Sequence, residues 1–343
     1  MTLPRLSRSH PVPGKRRIYR LPLAVFCGAL VASACWLGTA TAQTAQAWPS
    51  RTVRFILTLG PGSGTDIGGR LLADRLTKKW SQSVVIENRP GGDGIVGISA
   101  FVGAKDDHIL LLSPSSSFVA HPYLHDSLPY KPEDLAPIAR VSSTFVGITV
   151  PVASPVNSLN ELMALVREKP GELNWAGVTG ANGFMFEAWL KANKLDMKKV
   201  PYRNAVDAAR DLAENRVQLY ESAVAIAQPQ IEAGKIKLLA VLNTVRTPAY
   251  PNIPTVAEAG QAALTIDGLV GLFGHPFMPM ALREQIAADV KAAMESDPIM
   301  KDRLTRTGQL FAPGGPAEFN ASIEHQRATV AAAASAIGLK AKQ

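Results

Sequence analysis

The sequence predicts an α/β protein of two lobes, each a mostly parallel sheet flanked by helices, with a ligand cleft between them. Short apolar runs alternate with helix-period stretches through residues 53–242, the arrangement of buried strands covered by helices on both faces. Clustered prolines, first Pro151 and Pro155, then Pro248, Pro251 and Pro254, break the chain twice. Two glycine-rich turns, one on each side of the first break, each lie between a strand and a helix. Such a chain builds part of one lobe, crosses to a second and returns. Lobe 1 is therefore expected over 48–149 together with 269–343, lobe 2 over 150–268, and the binding site where they meet.

Taken in order, Val53–Leu59 is a short apolar strand and Ile67–Trp80 a helix with Ile67, Leu71, Leu72 and Leu76 on one face. Val84–Glu87 is a strand, Gly94–Gly103 a helix, Ile109–Ser113 a strand, and Ile138–Val150 one extended crossing. Ser158 stands three residues before Glu161, a capping box that opens a helix to Lys169. The alternation continues with strands at Leu173–Val178, Lys199–Tyr202, Val217–Ser222 and Ile236–Leu242, and helices at Phe184–Asn193, Ala205–Arg216 and Ile226–Gly234. After an extended Leu264–Phe273, the tail predicts helices at Ala281–Ser296, Met300–Gly308 and Pro316–Ile337.

Residues 1–47 read as an export signal. Arg5, Arg8, Lys15, Arg16, Arg17 and Arg20 precede the apolar run Leu21–Leu37, and Ala45-Gln46-Ala47 fits a cleavage site. The chain is therefore expected to leave the cytoplasm. An uncleaved membrane anchor is the competing reading, and the tail of small residues favours cleavage. Lys15-Arg16-Arg17 leaves a twin-arginine route open beside the general one, and Ala32-Ser33-Ala34-Cys35 is an imperfect lipoprotein box. Both cysteines, Cys27 and Cys35, fall in this leader. The mature chain is thus expected to have no disulfide, thiolate metal site or Cys nucleophile.

Formal charge is +8, from 36 Lys and Arg against 28 Asp and Glu. The leader holds six of the basic residues and no acid, so the remainder carries 30 against 28. That balance argues against a nucleic-acid partner, which needs basic charge on the folded body. A hydrophobic fraction of 47% and a charged fraction of 19% describe a globular chain.

The first candidate site is Gly60-Pro61-Gly62-Ser63-Gly64-Thr65-Asp66. Glycines after a strand expose main-chain N–H groups, and the helix start adds partial positive charge, so the turn suits an anion. No Gly-Lys-Ser/Thr follows, which excludes a Walker loop. Asp66 is expected to cap the helix. Thr179-Gly180-Ala181-Asn182-Gly183 has the same setting in the other lobe. Neither turn holds Lys or Arg, so compensation falls to amides and hydroxyls, which suits a carboxylate better than a phosphate. The candidate ligand-binding residues are Gly62, Ser63, Gly64, Thr65, Asp66, Thr179, Gly180, Ala181, Asn182 and Gly183, with Ser115 and Ser222 at the ends of two further strands.

Gly92-Asp93-Gly94-Ile95-Val96-Gly97 spells a dinucleotide fingerprint, but four residues separate it from its strand and Asp106 and Asp107 follow too early. It is expected to be a turn into a helix. No G-x-S-x-G or H-E-x-x-H occurs. His121 and His125 have i, i+4 spacing, but Pro122 argues against a shared helix face. No catalytic residue, metal or cofactor is expected.

A series of short stretches resembles the substrate-binding proteins of tripartite tricarboxylate transporters, the Bug family. These are Trp48-Pro49 through Asp66, Glu87-Asn88-Arg89-Pro90-Gly91 with Gly94 and Gly97, Leu128-Pro129-Tyr130, Lys169-Pro170-Gly171, Val200-Pro201-Tyr202, Ala233-Gly234-Lys235 and Ile253–Gly260. They span nearly all of the chain after the leader, in family order. The resemblance implies a periplasmic receptor with a type II periplasmic-binding-protein-like fold that closes on a small organic carboxylate, and delivery of that ligand to membrane permease subunits; the receptor is expected to be a monomer. Service to a sensor or another transporter is the alternative, and an exported Ser-dependent hydrolase a more distant one. The sequence departs from the family at Ser63, where a second adjacent Gly is usual, at Asp107-His108 for Gly-Tyr, at Asn204 for Gly, at Gly183-Phe184 where His precedes the first Leu of the helix, and at Leu269 for Trp. These changes allow a bulkier or more apolar ligand.

Overall fold

The computed structural model describes residues 48–177, 180–202, 204–296, 298–306 and 308–342. The expected leader, with Cys27 and Cys35, lies outside the described residues, as does Thr179. Strands β1 (Val53–Leu57), β2 (Val84–Asn88), β3 (Ile109–Pro114), β4 (Ala136–Thr144), β10 (Gly268–Gly274) and β11 (Gln309–Gly314) form one sheet in the order β11-β4-β10-β3-β1-β2. Strands β5 (Val146–Pro151), β6 (Asn174–Gly177), β7 (Lys198–Lys199), β8 (Leu219–Ala223) and β9 (Ile236–Val241) form a second, ordered β7-β6-β8-β5-β9. Each sheet has a parallel half, β2-β1-β3 or β7-β6-β8, as the βα alternation predicts. The other half of each is antiparallel, which makes both sheets mixed.

The helices are α1 (Gly64–Trp80), α2 (Ile95–Ala104), α3 (Ser116–Val119), α4 (His121–Leu124), α5 (Leu159–Glu168), α6 (Gly180–Ala192), α7 (Ala205–Ala213), α8 (Val224–Glu232), α9 (Met280–Glu295), α10 (Pro298–Arg306) and α11 (Pro316–Ala336). Apolar spacing explains their docking. Leu72 and Leu76 of α1 pack with Phe55 and Leu57 of β1 and Leu110 and Leu112 of β3, all buried. The helix comes close because Gly69 has no side chain: a Cβ there would lie 2.6 Å from Leu112 Cδ2. Truncating one of these leucines to alanine costs about 2–5 kcal/mol.

Several elements differ from expectation. The single crossing at 138–150 is two strands, β4 in the first sheet and β5 in the second, with buried Phe145 between them. Helix α6 begins at Gly180, so the second glycine-rich stretch is the first turn of a helix. The strand expected at Lys199–Tyr202 is only Lys198–Lys199. Helix α10 stops at Arg306, and the short strand β11 follows; its register against β4 shifts between Phe311 and Gly314, which blurs period-2 alternation.

Polar side chains clamp the places where the chain passes between sheets. Asn243, which is buried, accepts from the Val146 amide (3.1 Å) and donates to the Thr144 carbonyl (3.0 Å) and to Ser143 Oγ (3.4 Å). Thr244 bonds Asp267 through its amide and hydroxyl. Helix α11 packs against β4 and also against α6, and Lys191 of α6 donates to the Ile337 carbonyl at 3.0 Å.

His275, at the end of β10, is buried between Phe101 and Phe277, with ring centroids 4.3 and 5.1 Å away. Its Nε2 has no partner among the described residues. Burial holds its pKa below the ordinary histidine value, against a smaller opposing pull from Asp106. The folded state therefore binds fewer protons than the unfolded chain below about pH 6.5, and stability falls as pH drops through that value toward the folded pKa. His275→Phe should lessen the loss of melting temperature between neutral and mildly acidic buffer, measured by differential scanning calorimetry. An unchanged loss would remove His275 as a cause.

Candidate functional site

In an open α/β sheet, the crevice lies beyond the carboxyl ends of strands where the order reverses. Here β1 runs to β2 on one side and to β3 on the other, and β6 runs to β7 and β8 in the same way. The turn after β1 carries Gly60–Asp66, and the one after β3 carries Ser115. In the second sheet, α6 starts with Gly180–Gly183 after β6, and Ser222 ends β8. The sequence candidates thus occupy corresponding positions on the two sheets.

Those edges meet. A Cβ on Gly180 would collide with the Ser116 carbonyl oxygen, and φ at Gly180 is +76°, a region that favours glycine. Tyr123 of α4 stacks on Phe184 of α6, with centroids 5.8 Å apart. Gly308, before β11, packs on Ala225 of α8, whose amide nitrogen would be 3.0 Å from a Cβ there.

The first turn is held by one carboxylate. Asp66 accepts from the Gly62 amide (2.9 Å), Arg70 Nε (3.1 Å) and Asn88 Nδ2 (2.9 Å), and pairs with a second Arg70 nitrogen at 2.9 Å. Asn88 also donates to the Leu59 carbonyl (2.9 Å), tying the turn to β2. Burial pushes the Asp66 carboxyl up, but Arg70, the Gly62 amide and Asn88 outweigh it and hold the group below the usual carboxylate range. The helix cap is Ser63, not Asp66: Ser63 Oγ accepts from the Asp66 amide at 3.2 Å. Asp66 sits at the third helical position and reaches back to Gly62, closing a variant of the capping box.

This network also settles which amides remain available. The Gly62 amide is taken by Asp66 and that of Ser63 by the Gly60 carbonyl. A helix start leaves four N–H groups unpaired within the helix; of these, Gly64 and Thr65 keep theirs without a partner among the described residues. In the second lobe, Gly180, Ala181, Asn182 and Gly183 are all buried. Asn182, only 3% exposed, has no partner for Nδ2 among the described residues. A helix start with unpaired amides is suited to a negatively charged group.

Ser115 and Ser222 are less available. Ser115 is fully buried, donates to Gln326 Oε1 on α11, and gives its amide to the Leu269 carbonyl at 2.8 Å. Ser222 Oγ makes a long bond to the Ala223 carbonyl (3.4 Å) and lies beside fully buried Glu221. The Gly92–Gly97 stretch packs behind the first turn, where a Cβ on Gly97 would stand 2.9 Å from the Arg89 carbonyl. Close packing accounts for Gly94 and Gly97, and a φ of +54° for Gly92. As expected, His121 and His125 share no helix face, since α4 ends at Leu124 and His125 is extended; Pro122 sits in the first turn of α4, where a missing N–H costs nothing, and the two rings lie 5.0 Å apart.

Residues 69–321 match the model of the tripartite tricarboxylate transporter family receptors. The chain belongs to this family. Protein BugT of Bordetella pertussis is 30% identical over 243 residues, covering 69% of this chain and 74% of BugT. Among solved structures, a protein described as a periplasmic transporter is 26% identical with a TM-score of 0.76, covering 86% of this chain and 99% of its own. Rpa4515 of R. palustris, solved with adipate, is also 26% identical with a TM-score of 0.74, covering 85% and 99%. These neighbours have the two-lobe fold of periplasmic binding proteins that the resemblance implied.

The departures from the family pattern have local uses. Ser63 supplies the cap of α1, and Asn204 Oδ1 caps α7 by accepting from the Val206 amide (3.0 Å). His108 accepts the Ser50 amide (3.0 Å), Phe184 stacks on Tyr123, and Leu269 offers its carbonyl to Ser115. Sequence reasoning gave no role to Arg70, Asn88, Asn243, Gln309 or Gln326. Arg70 lies one helical turn after Asp66, which was a readable signal. Gln309 donates to the Gly64 carbonyl at 2.7 Å from a strand that was not foreseen.

Asp66→Asn tests the network. The depressed carboxyl contributes stability at neutral pH that is lost as pH falls through its folded pKa. The variant should be less stable than wild type by roughly 1.5–3 kcal/mol at pH 7 and converge with it in acid, measured by urea unfolding across pH. A gap that does not close in acid would contradict this role.

Proposed function

We propose that this receptor works in the periplasm, captures a small organic carboxylate between its lobes and passes it to the permease subunits of a tripartite tricarboxylate transporter. What supports the reading is that α1 and α6 start beyond the ends of β1 and β6, that the Gly64 and Thr65 amides have no partner among the described residues, and that Gly180 comes up against Ser116 of the other lobe; in this reading both helix starts face one gap. Gly62, Ser63 and Asp66 shape the first turn and the Asn182 amide adds a donor in the second. Thr179, Ser115 and Ser222 complete the proposed lining.

A carboxylate fits because its oxygens accept several N–H bonds at once, and charge-assisted bonds are the stronger kind. No lysine or arginine is needed, since closure excludes water and strengthens each bond. The adipate in Rpa4515 supports this ligand class. Binding without turnover is the better reading of the hydroxyls, because Ser115 donates to Gln326 and not to an imidazole.

A thermal-shift screen of dicarboxylates, adipate included, with tricarboxylates, aromatic acids and amino acids, tests the class. A carboxylate present at 100 times its Kd should stabilise the native state by about 2.7 kcal/mol. Gly180→Ala should weaken that ligand more than about tenfold, which is about 1.4 kcal/mol, because the added methyl props the lobes apart at Ser116. No hit among the carboxylates, or a variant that binds as well as wild type, would overturn the proposal.

A further inference from the structure

Apart from the cleft, the structure brings Asp93, His121 and His125 together so that one potential ligand atom from each lies within 4.8 Å of the others. We propose that these three residues form a binding site for a divalent first-row cation of the Zn2+ type. The inference is independent of what the cleft binds.

The geometry around His121 is the main support. Its ring is fully buried. Nδ1 faces the Tyr130 hydroxyl, while Nε2 faces both the Asp93 carbonyl (3.1 Å) and Asp93 Oδ2 (3.6 Å). Asp93 has φ +57° between two glycines, a conformation that turns its carbonyl and carboxylate toward the same nitrogen. His125 follows one helical turn later, its amide bonded to the His121 carbonyl at 3.0 Å and its ring edge-on to that of His121. Two imidazoles and a carboxylate are donors that suit zinc and its neighbours. Zinc–ligand distances near 2.0–2.1 Å place tetrahedral ligands roughly 3.3 Å apart, so the 3.6 Å spacing needs little adjustment.

Tyr130 fixes the chemistry. When its hydroxyl accepts from Nδ1–H, Nε2 turns a lone pair toward two oxygens of Asp93. Three electron-rich atoms then face one another, and a cation makes that favourable. A ligating histidine commonly holds its other nitrogen this way. In the opposite tautomer, Nε2–H donates to the Asp93 carbonyl and the cluster is a plain hydrogen bond. The Asp106, Asp107 and His108 cluster offers no such choice: His108 Nε2 takes the Ser50 amide, its Nδ1 bonds Asp107, and Asp106 pairs with Arg51.

The test titrates untagged, chelator-stripped protein with Co2+, reads its visible bands, and then displaces it with Zn2+. One Co2+ per chain is expected, displaced by Zn2+. Asp93→Asn and His125→Gln should each weaken binding by more than the roughly 10- to 100-fold that loss of an outer partner costs, and Tyr130→Phe by an amount within that range. His125 is only partly buried, so its variant should keep the wild-type circular dichroism and carry the test alone if Asp93→Asn misfolds. No saturable binding in wild type, or unchanged affinity in His125→Gln, would overturn the proposal.

Discussion

The Asp66 carboxylate is the interaction on which the first lobe's half of the cleft depends. A glycine-rich turn is entropically costly to fix, and Pro61 with the Ser63 cap defines only part of Gly60–Gly64. Asp66 fixes the rest by binding the Gly62 amide behind it, Arg70 one turn ahead and Asn88 on the neighbouring strand. The carboxylate takes the Gly62 amide, while the amides of Gly64 and Thr65 have no partner among the described residues. Arg70 balances its charge within the turn, which leaves N–H dipoles to meet the proposed anion. Gln309 adds a brace from β11 by holding the Gly64 carbonyl.

The second lobe reaches an equivalent surface by a different route. There the helix itself begins at Gly180, and the missing side chain lets the α6 start approach the Ser116 carbonyl. The chain passes between the two sheets near Phe145 and across residues 242–267. Asn243 and the Thr244–Asp267 contact tie both places together. Gln326 joins that region to the cleft by accepting from Ser115 and donating to the Asp267 carbonyl.

Much of this was legible in the sequence. Strands such as Val53–Leu57 and Ile109–Pro114 are apolar runs bounded by turns, and α5 announces itself with Ser158 and Glu161. The turns themselves were readable because glycine has few reasons to cluster after a strand. The capping assignment was not, since Ser63 and Asp66 are both good capping residues and only the backbone decides between them. The split of 138–150 into two strands was hidden because β-branched residues continue on both sides of Phe145 and no Gly or Pro stands directly beside it. Partners such as Gln309 and Gln326 act across more than 200 residues of sequence, and no local pattern encodes such a contact.

A crystal structure of the protein with its best-binding carboxylate tests the central claim most directly. The ligand's carboxylate oxygens should lie about 2.7–3.2 Å from the Gly64 and Thr65 amides on one side and from donors of the Gly180–Gly183 turn on the other, with Asp66 still bound to Gly62, Arg70 and Asn88. A carboxylate held by one lobe alone, or one gripped by cationic side chains away from these helix starts, would contradict it.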